Sequence, residues 1–161
     1  MNLFNHHFLA LDGNRIYLDR HRNMPFLIVN IATESRFTPQ LSRLQSLYAL
    51  NRDAGLRVLT IPCTDFDEEP RNEDEIAEFL RENYPHNFFV TQRYAVTGRD
   101  MHPLFRDMVQ ERSAAVLPRE SFTKYLFDRR GDLVEHWSPT VLPDDPGLVN
   151  TIQQHLTSRR L

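Results

Sequence analysis

The sequence predicts an α/β fold with a central mixed sheet and helices on both sides, and three observations carry that prediction. Residues 25–32 and 56–61 are predominantly apolar runs of strand length, the pattern of strands buried on both faces of a parallel sheet. Between them, leucines recur at helical spacing, so the three segments form a β-α-β unit with a right-handed crossover. Further on, residues 122–127 and 133–137 flank the turn at 128–131, an antiparallel hairpin that makes the sheet mixed.

The elements follow in order. Asp12-Gly13 signals a turn, and residues 14–19 alternate like a short exposed strand. After the first buried strand, Thr38 offers an N-cap hydroxyl with Pro39 at the first helical position. Leu41, Leu44, Leu47 and Tyr48 then face the core, and Gly55 closes the helix as its C-cap. Asn72 and Glu75 have capping-box spacing ahead of the apolar face Ile76, Phe79 and Leu80. A third helix starts near His102-Pro103 and carries Leu104, Phe105 and Met108 inward. Asp145-Pro146 opens a last helix with Leu148, Ile152 and Leu156 on one side. The order β-β-α-β-α-(β)-α-β-β-α is a thioredoxin-like arrangement, and 161 residues suit a single domain around one core.

Composition excludes several function classes. Hydrophobic residues make up 40% and charged residues 25%, ordinary proportions for a soluble protein, and a net charge of −3 gives no field that would favour nucleic acid. The longest apolar stretch, 25–32, is far too short to span a bilayer. The first eight residues lack a basic region followed by an apolar one, so the expected location is cytoplasmic by default. Nine acids against two arginines between Asp65 and Glu82 read as a solvated loop and helix face. Cys63 is the only cysteine, which rules out an internal disulfide and any relay between two thiols of one chain.

Two segments resemble the signatures of the glutathione peroxidase family: Leu27-Ile-Val-Asn-Ile-Ala-Thr-Glu-Ser-Arg-Phe-Thr-Pro-Gln40 and Gly55-Leu-Arg-Val-Leu-Thr-Ile-Pro-Cys-Thr-Asp-Phe66. Glu69-Pro70, Val96-Thr-Gly98, His102-Pro-Leu-Phe105 and Phe122-Thr-Lys-Tyr-Leu126 fall at the family's further landmarks, in the same order. The resemblance implies a thioredoxin-like fold. It also implies hydroperoxide reduction at a cysteine or selenocysteine surrounded by glutamine, tryptophan and asparagine. This chain departs from the family at those same positions. The peroxidatic position is Ser35, the glutamine position is Asp65, and the tryptophan–asparagine pair is Glu120-Ser121. Arg36 stands for the glycine after the peroxidatic residue, and Leu80 occupies the region of the second helix where two-cysteine members keep a resolving cysteine.

These replacements have one chemical direction. A helix N-terminus lowers a thiol's pKa into the reactive range, whereas a serine hydroxyl starts far too basic to ionise there. Carboxylates in place of hydrogen-bond donors would oppose a thiolate. An engineered cysteine-to-serine change would have left those donors in place, so natural loss of the peroxidatic centre is the better reading. Ser35, Asp65, Glu120 and Ser121 are expected to converge in the former pocket.

Three functions follow as alternatives. The first is a non-catalytic protein that binds a small molecule or a protein at that pocket, with no cofactor and no metal. The second is a thiol-dependent oxidoreductase working through Cys63, the only case in which glutathione or thioredoxin would be a partner. The third is new acid–base chemistry through Asp65 and Glu120. Ser35 as a hydrolase nucleophile would need a base, and no histidine is placed to serve. His6-His7 reads as an exposed terminal pair, and His102 as a capping or packing residue. His21, His86, His136 and His155 read as scattered structural or solvent-facing residues, and Trp137 as a packing residue.

Overall fold

The apolar run at Phe26–Ile31 becomes the middle strand of the sheet, and all six of its residues are buried. The structure is a computed structural model that describes residues 1–156. A small N-terminal hairpin pairs β1 (His7–Leu9) with β2 (Arg15–Tyr17). The main sheet holds β3 (Phe26–Ile31), β4 (Arg57–Pro62), β5 (Phe89–Val90), β6 (Lys124–Phe127) and β7 (Leu133–Trp137), in the order β5-β4-β3-β6-β7. β3, β4 and β5 are parallel, while β6 and β7 are antiparallel additions, so the sheet is mixed as predicted. The helices are α1 (Gln40–Asn51), α2 (Glu73–Asn83), α3 (Pro103–Glu111) and α4 (Pro146–Gln154).

Alternation along β3 divides the core. Phe26 and Ile28 join Leu59, Ile61, Tyr125 and Phe127 on one face, covered by α3 and by Phe8 and Ile16 of the hairpin. Leu27, Val29 and Ile31 join Val58 and Leu126 on the other, covered by α1, α2 and α4. Helices therefore flank both sides.

Two helix boundaries differ from the sequence reading. α1 begins at Gln40, because the Thr38 hydroxyl is spent backwards, accepting from Ser35 N–H at 3.0 Å and donating to Ala32 O at 2.8 Å. The helix forms without a side-chain cap: a cap is worth about 1 kcal/mol, and each buried leucine of its inner face about 1.5–3 kcal/mol. α1 also ends at Asn51, ahead of Gly55, whose φ of 109° instead turns the chain into β4. The capping box of Asn72 and Glu75 is present, His102 accepts from Leu104 N–H, and Asp145 accepts from Leu148 N–H. Leu156 lies just beyond α4 and packs on the second face.

Candidate functional site

β3 and β4 run parallel and end side by side, with Ile31 opposite Pro62, so the loops that follow them meet. Glu34 N–H donates to Glu68 O across that junction at 3.0 Å. β6 runs the other way, so the segment leading into it, which holds Glu120 and Ser121, arrives at the same end of the sheet.

Asn30 fastens that segment. It is the one polar residue within β3, and it is completely buried. Its Nδ2 donates to Glu120 O at 3.0 Å, its Oδ1 accepts from Thr123 N–H at 3.0 Å, and its carbonyl accepts from Phe122 N–H. Phe122, with φ 76°, is held between them in the left-handed region that a bulky residue rarely adopts.

Ser35 is 8% exposed and lies in the turn that leads to α1. Its Oγ accepts from Phe37 N–H at 3.0 Å, so the hydroxyl closes a local turn, and no base lies within hydrogen-bonding reach of it among the described residues. Glu120 is exposed, and its carboxylate takes the Arg36 guanidinium at 3.2 Å. Arg36 in turn lies over the Phe37 ring, 4.6 Å from its centroid. Arg36 and Glu120 thus neutralise each other beside Ser35.

Ser121 and Cys63 lie beneath. Ser121 is fully buried, donating from Oγ to Glu68 Oε1 at 3.0 Å, with Cys63 Sγ 3.8 Å away. Cys63 is 1% exposed and also lies 3.7 Å from Asn30 Nδ2. Burial pushes its thiol up to about 11, with repulsion from Asp65 adding to the effect and the Asn30 and Ser121 hydrogen bonds opposing it. At neutral pH that sulfur is a protonated core atom.

Asp65 is turned elsewhere. Its two oxygens accept from Val96 N–H at 2.9 Å, Thr97 N–H at 3.0 Å and the Thr97 hydroxyl at 2.7 Å, which fastens the segment after β5. Ser35, Glu120 and Ser121 are therefore gathered at one end of the sheet through Arg36, Glu68 and Asn30, while the Asp65 carboxylate braces the neighbouring loop.

Sequence reasoning missed a second network. Glu69 accepts from Thr33 N–H at 2.9 Å and from the Thr33 hydroxyl at 2.5 Å, and Arg71 Nη1 donates to Thr33 Oγ1 and Glu34 Oε1, each at 2.7 Å. Burial holds the Glu69 carboxyl above its usual range despite these donors. Two signals could have found such groups: a lone asparagine inside an apolar strand, and a glutamate fixed before Pro70. Among the described residues, no group of three or more His, Cys, Asp or Glu is arranged to hold a metal ion, and no helix is long and apolar enough to cross a membrane.

Comparison with known proteins agrees with this architecture. The glutathione peroxidase family model matches residues 3–109. A glutathione peroxidase of Lactococcus lactis is 31% identical over 148 residues, covering 90% of this chain and 94% of the relative. A hydroperoxy fatty acid reductase of Synechocystis is 34% identical, with coverages of 84% and 86%. Glutathione peroxidase 7 of Mus musculus is 38% identical, with coverages of 80% and 69%. Among solved structures, T. cruzi GPX1 superposes with a TM-score of 0.76 at 24% identity over 100% of both chains. A secreted disulfide oxidoreductase of Mycobacterium tuberculosis superposes at 0.62 with 12% identity, covering 92% and 95%. At these identities the structures speak for a thioredoxin-like fold alone. The family model and the curated relatives go further: the chain belongs to the glutathione peroxidase family.

Proposed function

We propose that this protein uses the family scaffold to bind a small molecule or a protein at the former peroxidatic cleft, without reducing hydroperoxides there. The observation that carries this reading is the division of labour between Ser35 and Cys63. The residue at the peroxidatic position is a hydroxyl committed to a turn, and the only thiol lies 1% exposed beneath the 120–123 segment with its proton held to about 11. Peroxide reduction needs a thiolate that peroxide can reach. The Arg36–Glu120 pair on the rim is suited to polar recognition.

A second reading has its own support, since relatives at 31% and 34% identity are named glutathione peroxidase and hydroperoxy fatty acid reductase. On that reading Cys63 is the working thiol, and the segment around Ser121 must move to uncover it.

The test is reduction of hydrogen peroxide and of a lipid hydroperoxide by the purified protein, with glutathione and then thioredoxin as reductant. Ser35→Cys, Cys63→Ala and Glu120→Gln are run alongside. The expected result is no turnover by the wild type; a gain with Ser35→Cys would make Ser35 the decisive lesion, and silence of both would mean that Asp65 and Glu120 matter as well. Wild-type turnover abolished by Cys63→Ala would overturn the proposal in favour of the second reading. Turnover that survives Cys63→Ala and is lost in Glu120→Gln would instead assign new chemistry to the carboxylates.

A further inference from the structure

Away from that end of the sheet, a cleft of about 570 Å³ opens between the N-terminal hairpin and the start of α3, within the size range of small-ligand sites. Its polar lining consists of Asn5, His6, His7, Arg15, Tyr94 and His102. No carboxylate of the described residues lines it; the nearest one identified by contact is Asp107, already bound to His6 Nε2 at 2.7 Å.

Two donors in this lining are uncommitted. Arg15 is exposed, and among the described residues no carboxylate or carbonyl reaches its guanidinium. Tyr94 Oη accepts from Leu9 N–H at 2.8 Å, and its own hydrogen has no acceptor among the described residues. Both residues line the one cleft, Tyr94 on the outer edge of β1 at Leu9 and Arg15 across the hairpin from Leu9. The exposed imidazole of His7 lies one pleat along on the same face, opposite Tyr17. His102 adds rigidity: its ring stacks on Phe8 at 3.9 Å, with one nitrogen on His7 O and the other on Leu104 N–H.

From these positions we propose that the cleft binds the oxyanion group of a small molecule, a phosphate or a carboxylate. The Arg15 fork takes two oxygens, and the Tyr94 hydroxyl donates to a third oxygen of a phosphate or to one of the same two of a carboxylate. A site holding one unpaired guanidinium and a free hydroxyl donor, with no carboxylate among its described lining residues, favours anions over cations, and a guanidinium matches the oxygen spacing of these oxyanions. The site is independent of the Ser35 end of the sheet and of any peroxidase chemistry.

The experiment is an NMR titration of the full chain with inorganic phosphate and separately with acetate, with chloride as control at constant ionic strength. Saturable shifts at Tyr94 and His7 with phosphate, acetate or both are expected, and which anion saturates identifies the group. Arg15→Gln, a change on an exposed side chain, should weaken that binding at least about tenfold while leaving the rest of the spectrum in place. Equal shifts with chloride, no saturation with either anion, or undiminished binding by Arg15→Gln would each overturn the proposal.

Discussion

Each face of the central sheet buries one basic side chain, and the two are satisfied in different ways. On the hairpin and α3 face, His102 is neutral: Nε2 gives its hydrogen to His7 O, and Nδ1 accepts from Leu104 N–H. On the α1, α2 and α4 face, Lys124 is wholly buried and donates from Nζ to Gln40 Oε1 at 2.7 Å and Pro139 O at 3.1 Å, with no carboxylate partner among the described residues. An imidazole can shed its charge and still use both nitrogens as donor and acceptor. An ammonium has only donors, and neutral acceptors compensate its lost hydration in part. Both groups are pushed down by burial, His102 to about 4 and Lys124 to about 8. One face thus excludes a charge near neutral pH, whereas the other tolerates it at a cost.

The largest break in that comparison is expected at His102. Its ring stacks on Phe8, caps α3 and ties α3 to β1, so His102→Ala removes packing and a cap together and should cost about 3–5 kcal/mol. Its pH signature distinguishes it from an ordinary core residue. Above pH 6.5 the imidazole is neutral in both folded and unfolded chains. Between about 6.5 and 4 the unfolded chain takes a proton that the folded chain refuses, so stability falls as pH falls, by about 3 kcal/mol over the window. Denaturant melts at pH 7 and pH 4.5 should show this loss in the wild type and a smaller one in His102→Gln. Equal losses would mean that other groups set the acid limit.

Lys124 gives the alkaline counterpart. It is the only lysine in the chain, so its titration can be observed without overlap. Its folded value lies below the ordinary 10.5. At pH 8 and below, the folded state carries the full burden of a buried charge. Between about 8 and 10.5 the unfolded chain holds a proton that the folded chain has released, so stability from this group rises with pH, by up to about 3 kcal/mol. Melts between pH 8 and 10 should show that rise relative to Lys124→Met. A matching curve for the variant would mean that the Gln40 and Pro139 carbonyls compensate the ammonium fully.

What was legible in the sequence follows the same division between local and distant. The β3 run, the 122–137 hairpin and the α2 capping box depend on neighbours a few residues apart, and all were readable. The Thr38 cap and the Gly55 stop were misread because each residue serves a loop whose path depends on the sheet. His6 reads as an exposed terminal residue, yet it is half-buried against Asp107, 101 residues away. Separations of 84 residues hid the Lys124–Gln40 bond, and of 31 and 32 residues the turning of Asp65 onto Val96 and Thr97. The family resemblance points to Ser35, Asp65, Glu120 and Ser121 as converging in one pocket. It carries no sign that Glu68 and Asn30 do the joining, because those contacts form only once three loops meet.

The smallest effect sharpens the comparison from the side of the caps. α3 is capped by a buried ring that is also part of the core, whereas α2 is capped by Asn72 at the surface, where its side chain accepts from Glu75 N–H at 2.9 Å and Glu75 returns a bond at 3.1 Å. Removing the exposed cap touches no packing, because Ile76 and Leu80 hold the inner face of α2 whatever stands at position 72. Asn72→Ala should therefore cost about 1 kcal/mol, with the denaturant slope unchanged and no dependence on pH between 6.5 and 4 beyond that of the wild type. A cost near that of His102→Ala would mean that the capping box fixes the 69–72 loop as well as the helix. It would join the cap to the Thr33–Glu69–Arg71 network, and through it to the Ser35 end of the sheet.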